Sequence, residues 1–199
     1  MRKILLITAA AAFLLAAGSA RAQKVDVAFG LSTLLAPSAS SASAGYTPQS
    51  LRGGAYPAFS GDFLFKHNFG VSGEVSWRAH QNSYLGIQPF RPVLFDFNGI
   101  WAPQLEHRIS PEVMAGIGAM SDRFYQPYYV CGAFSGCTNY TSSTHFMGHI
   151  GGGIKLYVWG NVFVRPEAHL YLIHNNFDFS GPHAERVGLS IGYTWRASQ

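Results

Sequence analysis

The sequence predicts an all-β protein: an eight-stranded antiparallel up-and-down transmembrane β-barrel, preceded by a cleavable signal peptide. Three observations lead to this fold class. Apolar and polar residues alternate with a period of two through most of the chain after residue 22, as in strands with two different faces. Long and short connections between these segments follow each other in strict turn, and the charged residues within the segments share one face.

The composition excludes several classes of protein. Only 12% of the 199 residues are Asp, Glu, Lys or Arg, whereas 15% are aromatic and 22 are glycines. Such a chain is too apolar to be disordered and too poor in charge for a typical soluble helical protein. The net charge of +4 comes largely from Arg2, Lys3 and Arg21, beyond which 11 cations face 10 acids. Nucleic acid is therefore not an expected partner.

Residues 1–22 have the features of a signal peptide. Arg2 and Lys3 precede an uncharged apolar run over residues 4–17, and small residues at positions 20 and 22 form a cleavage site. A single-pass anchor is the alternative, but the run is shorter than the roughly 20 residues that a membrane-spanning helix needs. We expect one domain, the barrel, over residues 23–199.

Eight segments alternate in the manner of strands. In the first, Val25, Val27, Phe29 and Leu31 share a face opposite Asp26 and its polar or small neighbours. The segments cover residues 25–32, 59–66, 71–78, 93–101, 113–120, 146–158, 162–172 and 186–195. The connections fall near 34–54, 66–69, 79–91, 103–111, 124–143, 159–161 and 174–184. Long loops at one end and tight turns at the other are typical of outer-membrane barrels, and a β-sandwich has no reason to keep them.

Charge and side-chain size predict which face points inward. The charged strand residues all lie on the polar face: Asp26, Asp62, Lys66, Glu74, Arg78, Asp96, Lys155, Arg165, Glu167 and Arg186. That face also carries many Gly, Ser and Ala, which suit the narrow interior of eight strands. The other face carries bulky apolar residues, with an aromatic girdle predicted near the strand ends at Trp77, Trp101, Tyr193 and Trp195. A water-soluble barrel with the faces reversed is the alternative.

Charges enclosed in a barrel must pair with one another. The tight turn at residues 159–161 places Lys155 across from Arg165 and diagonal to Glu167. We therefore predict a lumenal salt-bridge network of Lys155, Arg165 and Glu167 with members of the set Glu74, Arg78, Asp96 and Arg186. Such a network would fix the strand register and fill the interior.

The two cysteines lie in the predicted connection 124–143, which is rich in aromatic residues. Cys131 and Cys137 are close enough to form a disulfide in an oxidising compartment, whereas a zinc site would lack the usual spacing and His partners. Aromatic residues surround them, and five form a candidate partner-binding loop: Tyr125, Tyr128, Tyr129, Phe134 and Tyr140. These rings could anchor an extracellular partner or could pack on one another as an extension of the barrel rim.

The hairpin at residues 151–167 and the last strand, 187–195, resemble the small bacterial outer-membrane β-barrel domain family, which includes OmpA-like and OmpX-like eight-stranded barrels. Gly151-Gly152-Gly153-Ile154-Lys155-Leu156-Tyr157 and Val162-Phe163-Val164-Arg165-Pro166-Glu167 carry the likeness. The resemblance implies location in the outer membrane, periplasmic termini and long external loops. It also implies contact with membrane lipid and lipopolysaccharide, and with an assembly machinery that reads an aromatic residue near the chain end.

The expected function is structural and interfacial, in envelope integrity or surface-loop display, with adhesion and an extracellular protein or glycan ligand left open. The sequence assigns no catalytic residue, metal or cofactor. A lipid A deacylase or acyltransferase is one alternative, but His174-Asn175-Asn176 lacks a serine nucleophile, and Ser180 with His183 forms no recognisable motif. A small-conductance channel is another, although eight strands leave a lumen filled by side chains.

Overall fold

A computed structural model describes residues 24–37, 50–65, 68–105, 108–132, 136–176, 178–179 and 181–196. The predicted signal peptide and Lys66 lie outside these residues. Nine strands occur in the described chain. They are β1 (Lys24–Leu35), β2 (Ala55–Leu64), β3 (Phe69–Trp77), β4 (Asn82–Tyr84), β5 (Gln88–Trp101), β6 (Ile109–Gly132), β7 (Gly136–Trp159), β8 (Val162–Ile173) and β9 (His183–Arg196).

Eight of these strands close into one antiparallel barrel, which confirms the predicted fold class. Each long strand pairs with its neighbour in the chain, β3 pairs with β5, and β9 returns to β1 to complete the cylinder. The short strand β4 pairs with β5 alone, and it forms a small hairpin with the first residues of that strand. Closure matters physically because a sheet with free edges would leave backbone amides unpaired in a bilayer.

The two ends of the barrel differ. At the turn end, β2–β3, β5–β6 and β7–β8 are joined by short connections, and Gly160 adopts a φ of 55° in the tightest of them. At the loop end, the connections are longer. The predicted loop at 124–143 is wrong in one respect, because β6 and β7 continue as a paired hairpin up to the contact of Gly132 with Gly136. The hairpin projects past the barrel wall, so no apolar alternation marks it.

The side chains divide between the two faces as the alternation predicts. Phe97 and Leu189 point outward and remain 61% and 56% exposed, whereas Arg165 and Arg186 point inward and are buried. Outward apolar residues form a continuous belt around the barrel. Within the described residues, no helix has the length and apolar character needed to span a membrane.

Apolar clusters close the lumen at both ends. Leu64, Ile100, Ala102 and Met114 form one near the turn end. A larger cluster, here called the loop-end plug, consists of Leu34, Leu51, Tyr56, Phe90, Leu94, Met120, Met147, Tyr171, Ile173, Phe179 and Ala184. Leu94 and Ile100 interrupt the alternation of β5 in the sequence, and these clusters explain why, since both side chains fill the ends of the interior.

Candidate functional site in the barrel lumen

Lys155 occupies the centre of an acidic cage inside the barrel. Its Nζ lies 2.6 Å from Asp26 Oδ2, 2.8 Å from Asp62 Oδ2 and 2.8 Å from Glu112 Oε2. These acids come from β1, β2 and β6, and the lysine comes from β7. A single buried cation therefore connects four strands, and each of its three ammonium protons faces a carboxylate.

Arg165 on β8 forms the neighbouring centre. Its Nη1 donates to Glu112 Oε1 at 2.9 Å, and its Nε donates to Glu167 Oε2 at 2.8 Å. The hydroxyls of Ser60 and Ser190 accept further bonds from Nη2 and Nε at 2.9 and 3.0 Å. Glu112 thus bridges Lys155 and Arg165, so the two cations share one continuous network.

A third layer contains Arg186 and a stack of rings. Arg186 Nη2 contacts Glu74 and lies 3.6 Å from Glu167 Oε1. The rings of His149, His169 and Tyr171 are stacked, with His149 Nε2 2.9 Å from His169 Nδ1. This layer joins the ionic network to the loop-end plug, since Tyr171 belongs to both.

Glycine on the inner face makes room for these large side chains. A Cβ on Gly151 would come within 2.7 Å of His169 Nδ1 and 3.0 Å of His149 Nε2. A Cβ on Gly153 would approach Arg165 Cγ at 3.1 Å. The glycine-rich polar face of β7 therefore leaves the space that Arg165 and His169 of β8 and His149 of β7 itself occupy.

The structure places most of the predicted network residues in the lumen, with different partners. Glu167 pairs with Arg165 and not with Lys155. Asp96 lies 3.4 Å from His149 Nδ1. Arg78 lies apart, over the ring of Phe90, and no ion pair joins it to an acid within the described residues. Arg78 follows the last residue of β3 and lies beside Phe90 of the loop-end plug.

Sequence reasoning missed the acids that hold Lys155. The predicted polar face includes Asp26 and Asp62, but the predicted network does not, because pairing across the lumen cannot be predicted from adjacent strands. Glu112 falls between the predicted connection 103–111 and the predicted segment that begins at Val113, whereas β6 in the structure begins at Ile109. A signal was present: Glu112 precedes the alternating segment by one residue, in phase with Met114 on the inner face.

A second polar cluster lies at the loop end. His145 Nε2 is 3.0 Å from Asp178 Oδ2 and 3.0 Å from Ser143 Oγ. A Ser–His–Asp triad needs the serine and the acid on opposite ring nitrogens. Here both lie at Nε2, so His145 cannot take a proton from Ser143 while Asp178 orients its other nitrogen.

The cysteines form the predicted disulfide at the tip of the β6–β7 hairpin. Below the tip, the rings of Tyr125 and Tyr140 are 5.9 Å apart. Tyr128 and Tyr129 are 59% and 71% exposed, and Phe134 lies outside the described residues. The candidate loop thus combines ring packing near the rim with exposed aromatics farther out.

The four predicted girdle residues lie near the ends of the strands. Trp101, Tyr193 and Trp195 are at the turn end, where Trp101 stacks on Phe69 and the other two rings contact each other. Trp77 lies at the loop end of β3. Aromatic rings at these levels are placed as the membrane–water interfaces require.

The closed barrel, with its outer apolar belt and enclosed charges, is the architecture of the small bacterial outer-membrane β-barrels. No protein-family model and no curated protein matches the sequence. Among solved structures, Neisserial surface protein A aligns with a TM-score of 0.59 and 9% identity, covering 85% of this chain and 95% of its own.

Two further structures show the same fold. Ail, the attachment invasion locus protein of Yersinia pestis, was solved in complex with the heparin analogue sucrose octasulfate; it aligns with a TM-score of 0.54 and 13% identity over 86% of this chain and 98% of its own. OprG from Pseudomonas aeruginosa gives 0.53 and 10%, over 88% and 97%. At these identities the likeness concerns the fold.

Proposed function

We propose that the protein is an integral outer-membrane barrel with a structural and interfacial role and no open pore. The observation that supports this most directly is the filled lumen. Lys155 and Arg165 are bound to acids from several strands in its middle, and the loop-end plug lies above them. A barrel of eight strands has no remaining width for an aqueous channel.

The apolar belt supports contact with membrane lipid and lipopolysaccharide. Bulky residues such as Phe97 and Leu189 are exposed there, which would be costly in water but favourable against acyl chains. Both described chain ends, Lys24 and Arg196, lie at the turn end. In outer-membrane barrels the short turns are periplasmic, so the termini face the periplasm and the loops face outward.

The interfacial role falls to the β6–β7 hairpin. Tyr128 and Tyr129 present large aromatic rings to solvent on a support tied by the Cys131–Cys137 bond. Rigid exposed tyrosines lose little entropy when they bind a protein or glycan. Adhesion through this hairpin is therefore the surface activity that we propose, beside a contribution to envelope integrity.

An enzymatic role is not proposed. The arrangement closest to a hydrolase site, Ser143 with His145 and Asp178, has its contacts on one ring nitrogen and does not form a proton relay. Mass spectrometry of lipid A from cells with and without the protein tests this point. An altered acyl pattern that requires the protein would defeat the structural role as its principal function.

Planar-bilayer recording tests the filled lumen. The folded full-length chain is expected to give no steady conductance, because a permeating ion would have to displace Lys155 or Arg165 from buried carboxylates. The Tyr129→Ala variant, changed only on the exposed hairpin, serves as the matched control and should behave in the same way. A large steady conductance from the wild-type chain would contradict a closed barrel.

A further inference from the structure

Three metal-ligating side chains meet at the loop end of the lumen. Asp122 comes from β6, His145 from β7 and Asp178 from the connection between β8 and β9. One ligand atom of each, two carboxylate oxygens and an imidazole nitrogen, lies within 4.8 Å of the others. Such spacing allows one ion to contact all three after small side-chain movements.

Asp122 is the residue that needs a partner. Its side chain is fully buried, and neither Oδ1 nor Oδ2 has a hydrogen-bond partner among the residues that the structure describes. Within the described chain no Lys or Arg forms an ion pair with it or with Asp178. A buried carboxylate that stays ionised is normally hydrogen-bonded, paired with a cation or bound to a metal. Here the first two are missing.

The other comparable cluster differs in this respect. Glu74, Glu167 and His169 also lie close enough to hold an ion. Arg186 already contacts both of these carboxylates, at 3.6 Å for Glu167 Oε1. A permanent positive charge is therefore built into that cluster, whereas among the described residues only the imidazole of His145 contacts an acid of the cluster around Asp122.

We propose that Asp122, His145 and Asp178 form a binding site for a divalent transition-metal ion of the Zn²⁺ class. One imidazole with two carboxylates suits Zn²⁺, which accepts three protein ligands and a water, whereas Ca²⁺ requires six to eight oxygens. Asp178 keeps 29% of its side chain exposed, so an ion can enter from the loop side. The site lies outside the ionic network and extends beyond the proposed structural role.

The bound ion would hold the connection that closes the barrel. Asp178 is next to Phe179, whose ring is buried in the loop-end plug against Phe90. The backbone carbonyl of Asp178 accepts a hydrogen bond from the Tyr84 hydroxyl at 2.8 Å. A metal shared by β6, β7 and this connection therefore fixes the plug at a point where Asp122 would otherwise repel Asp178.

Zinc titration of the full-length folded barrel tests the site. The protein is treated with chelator, dialysed, and titrated with ZnCl₂ by calorimetry while its thermal midpoint is recorded. We expect one ion per chain and a higher midpoint, with no comparable effect from MgCl₂ or CaCl₂ at the same concentration. Asp122→Asn should lower Zn²⁺ affinity by at least about tenfold. Mutating even a residue that only hydrogen-bonds to a metal ligand typically lowers metal affinity about 10–100-fold.

Matched variants separate this site from other histidines and acids. His174→Gln and Glu185→Gln alter exposed residues at the same end of the barrel and should leave zinc binding unchanged. Asp178→Asn tests the site from the connection, without touching a barrel strand, in case a change in β6 prevents folding. Folding of each variant is checked by its heat-modifiable gel migration.

Several results would overturn the proposal. One is a wild-type chain that shows no zinc response. Another is a zinc response in Asp122→Asn and Asp178→Asn that is as large as that of the wild-type chain. A third is a calcium response as large as the response to zinc. Zinc binding that disappears in His174→Gln would place the ion at an exposed histidine instead. None of these results depends on conductance or adhesion, so the structural role is tested separately.

Discussion

At the scale of single residues, the interior depends on full pairing of a few buried charges. Lys155 is completely buried and has three carboxylate partners. Transferring an ammonium group from water into such an interior is costly, and only close opposite charges offset that cost. Its removal would leave Asp26, Asp62 and Glu112 as neighbouring buried anions with one cation fewer.

We therefore expect Lys155→Met to lower the free energy of unfolding by roughly 3–5 kcal/mol, as breaking a buried ion pair does. Urea unfolding of the barrel in lipid vesicles measures the change. Arg196→Met is the matched control: this cation is exposed at the end of β9, so its loss should cost less than about 1 kcal/mol. A similar small loss for Lys155→Met would mean that the cage contributes little to stability.

At the scale of strands, each element carries two environments on opposite faces. Leu189 on β9 is paired with Leu31 and Pro166 and points outward from the middle of the strand. Its inner neighbour Ser190 donates a hydrogen bond to Glu167 Oε2 at 3.0 Å. Two adjacent residues of β9 thus face different environments: Leu189 faces the acyl chains and Ser190 faces the ionic network.

Leu189→Arg is expected to destabilise the barrel in lipid by roughly 2–4 kcal/mol, because it places a charge on the lipid face near midplane. Thr144→Arg introduces the same side chain on the outer face of β7, above the last apolar residue Phe146. There the cost should stay below about 1 kcal/mol. Unfolding in vesicles distinguishes the two, and equal losses would show that the belt does not contact hydrocarbon.

At the scale of the whole molecule, closure of the sheet places all long connections at one end. The β6–β7 hairpin extends beyond the barrel at this end, while β1 begins and β9 ends at the opposite side. If the barrel inserts into the membrane in the expected orientation, the hairpin is exposed outside the cell and both termini lie on the periplasmic side of the outer membrane.

Chymotrypsin added to intact cells should therefore cut the chain at Tyr128 or Tyr129, which are exposed on the hairpin. A tag placed after Gln199 should stay inaccessible to antibody until the outer membrane is permeabilised. Tyr129→Ala combined with Tyr128→Ala should slow cleavage at the hairpin and leave the tag protected. The opposite pattern, with an accessible tag and a protected hairpin in intact cells, would reverse the orientation.

The strands and their faces could be predicted from the sequence because they depend on the order of neighbouring residues. Phe97 and Asp96 are adjacent in the chain, so the period of two alone separates them. Sequence reasoning did not reach the partners of Lys155, since Asp26 and Asp62 lie 129 and 93 residues away along the chain. Nor did it connect Asp122 with Asp178, which meet only because a connection folds back over the barrel mouth.

The amino-acid sequence by itself determined the number of barrel strands, their inward and outward faces and the two unlike ends, because these follow from residue spacing and from the solvent that each face prefers. The tertiary structure decided which charges meet, how far the β6–β7 hairpin extends and where the plug and the Asp122 cluster form. These depend on strand register and on the curvature of the closed sheet, which bring together side chains that no local pattern relates.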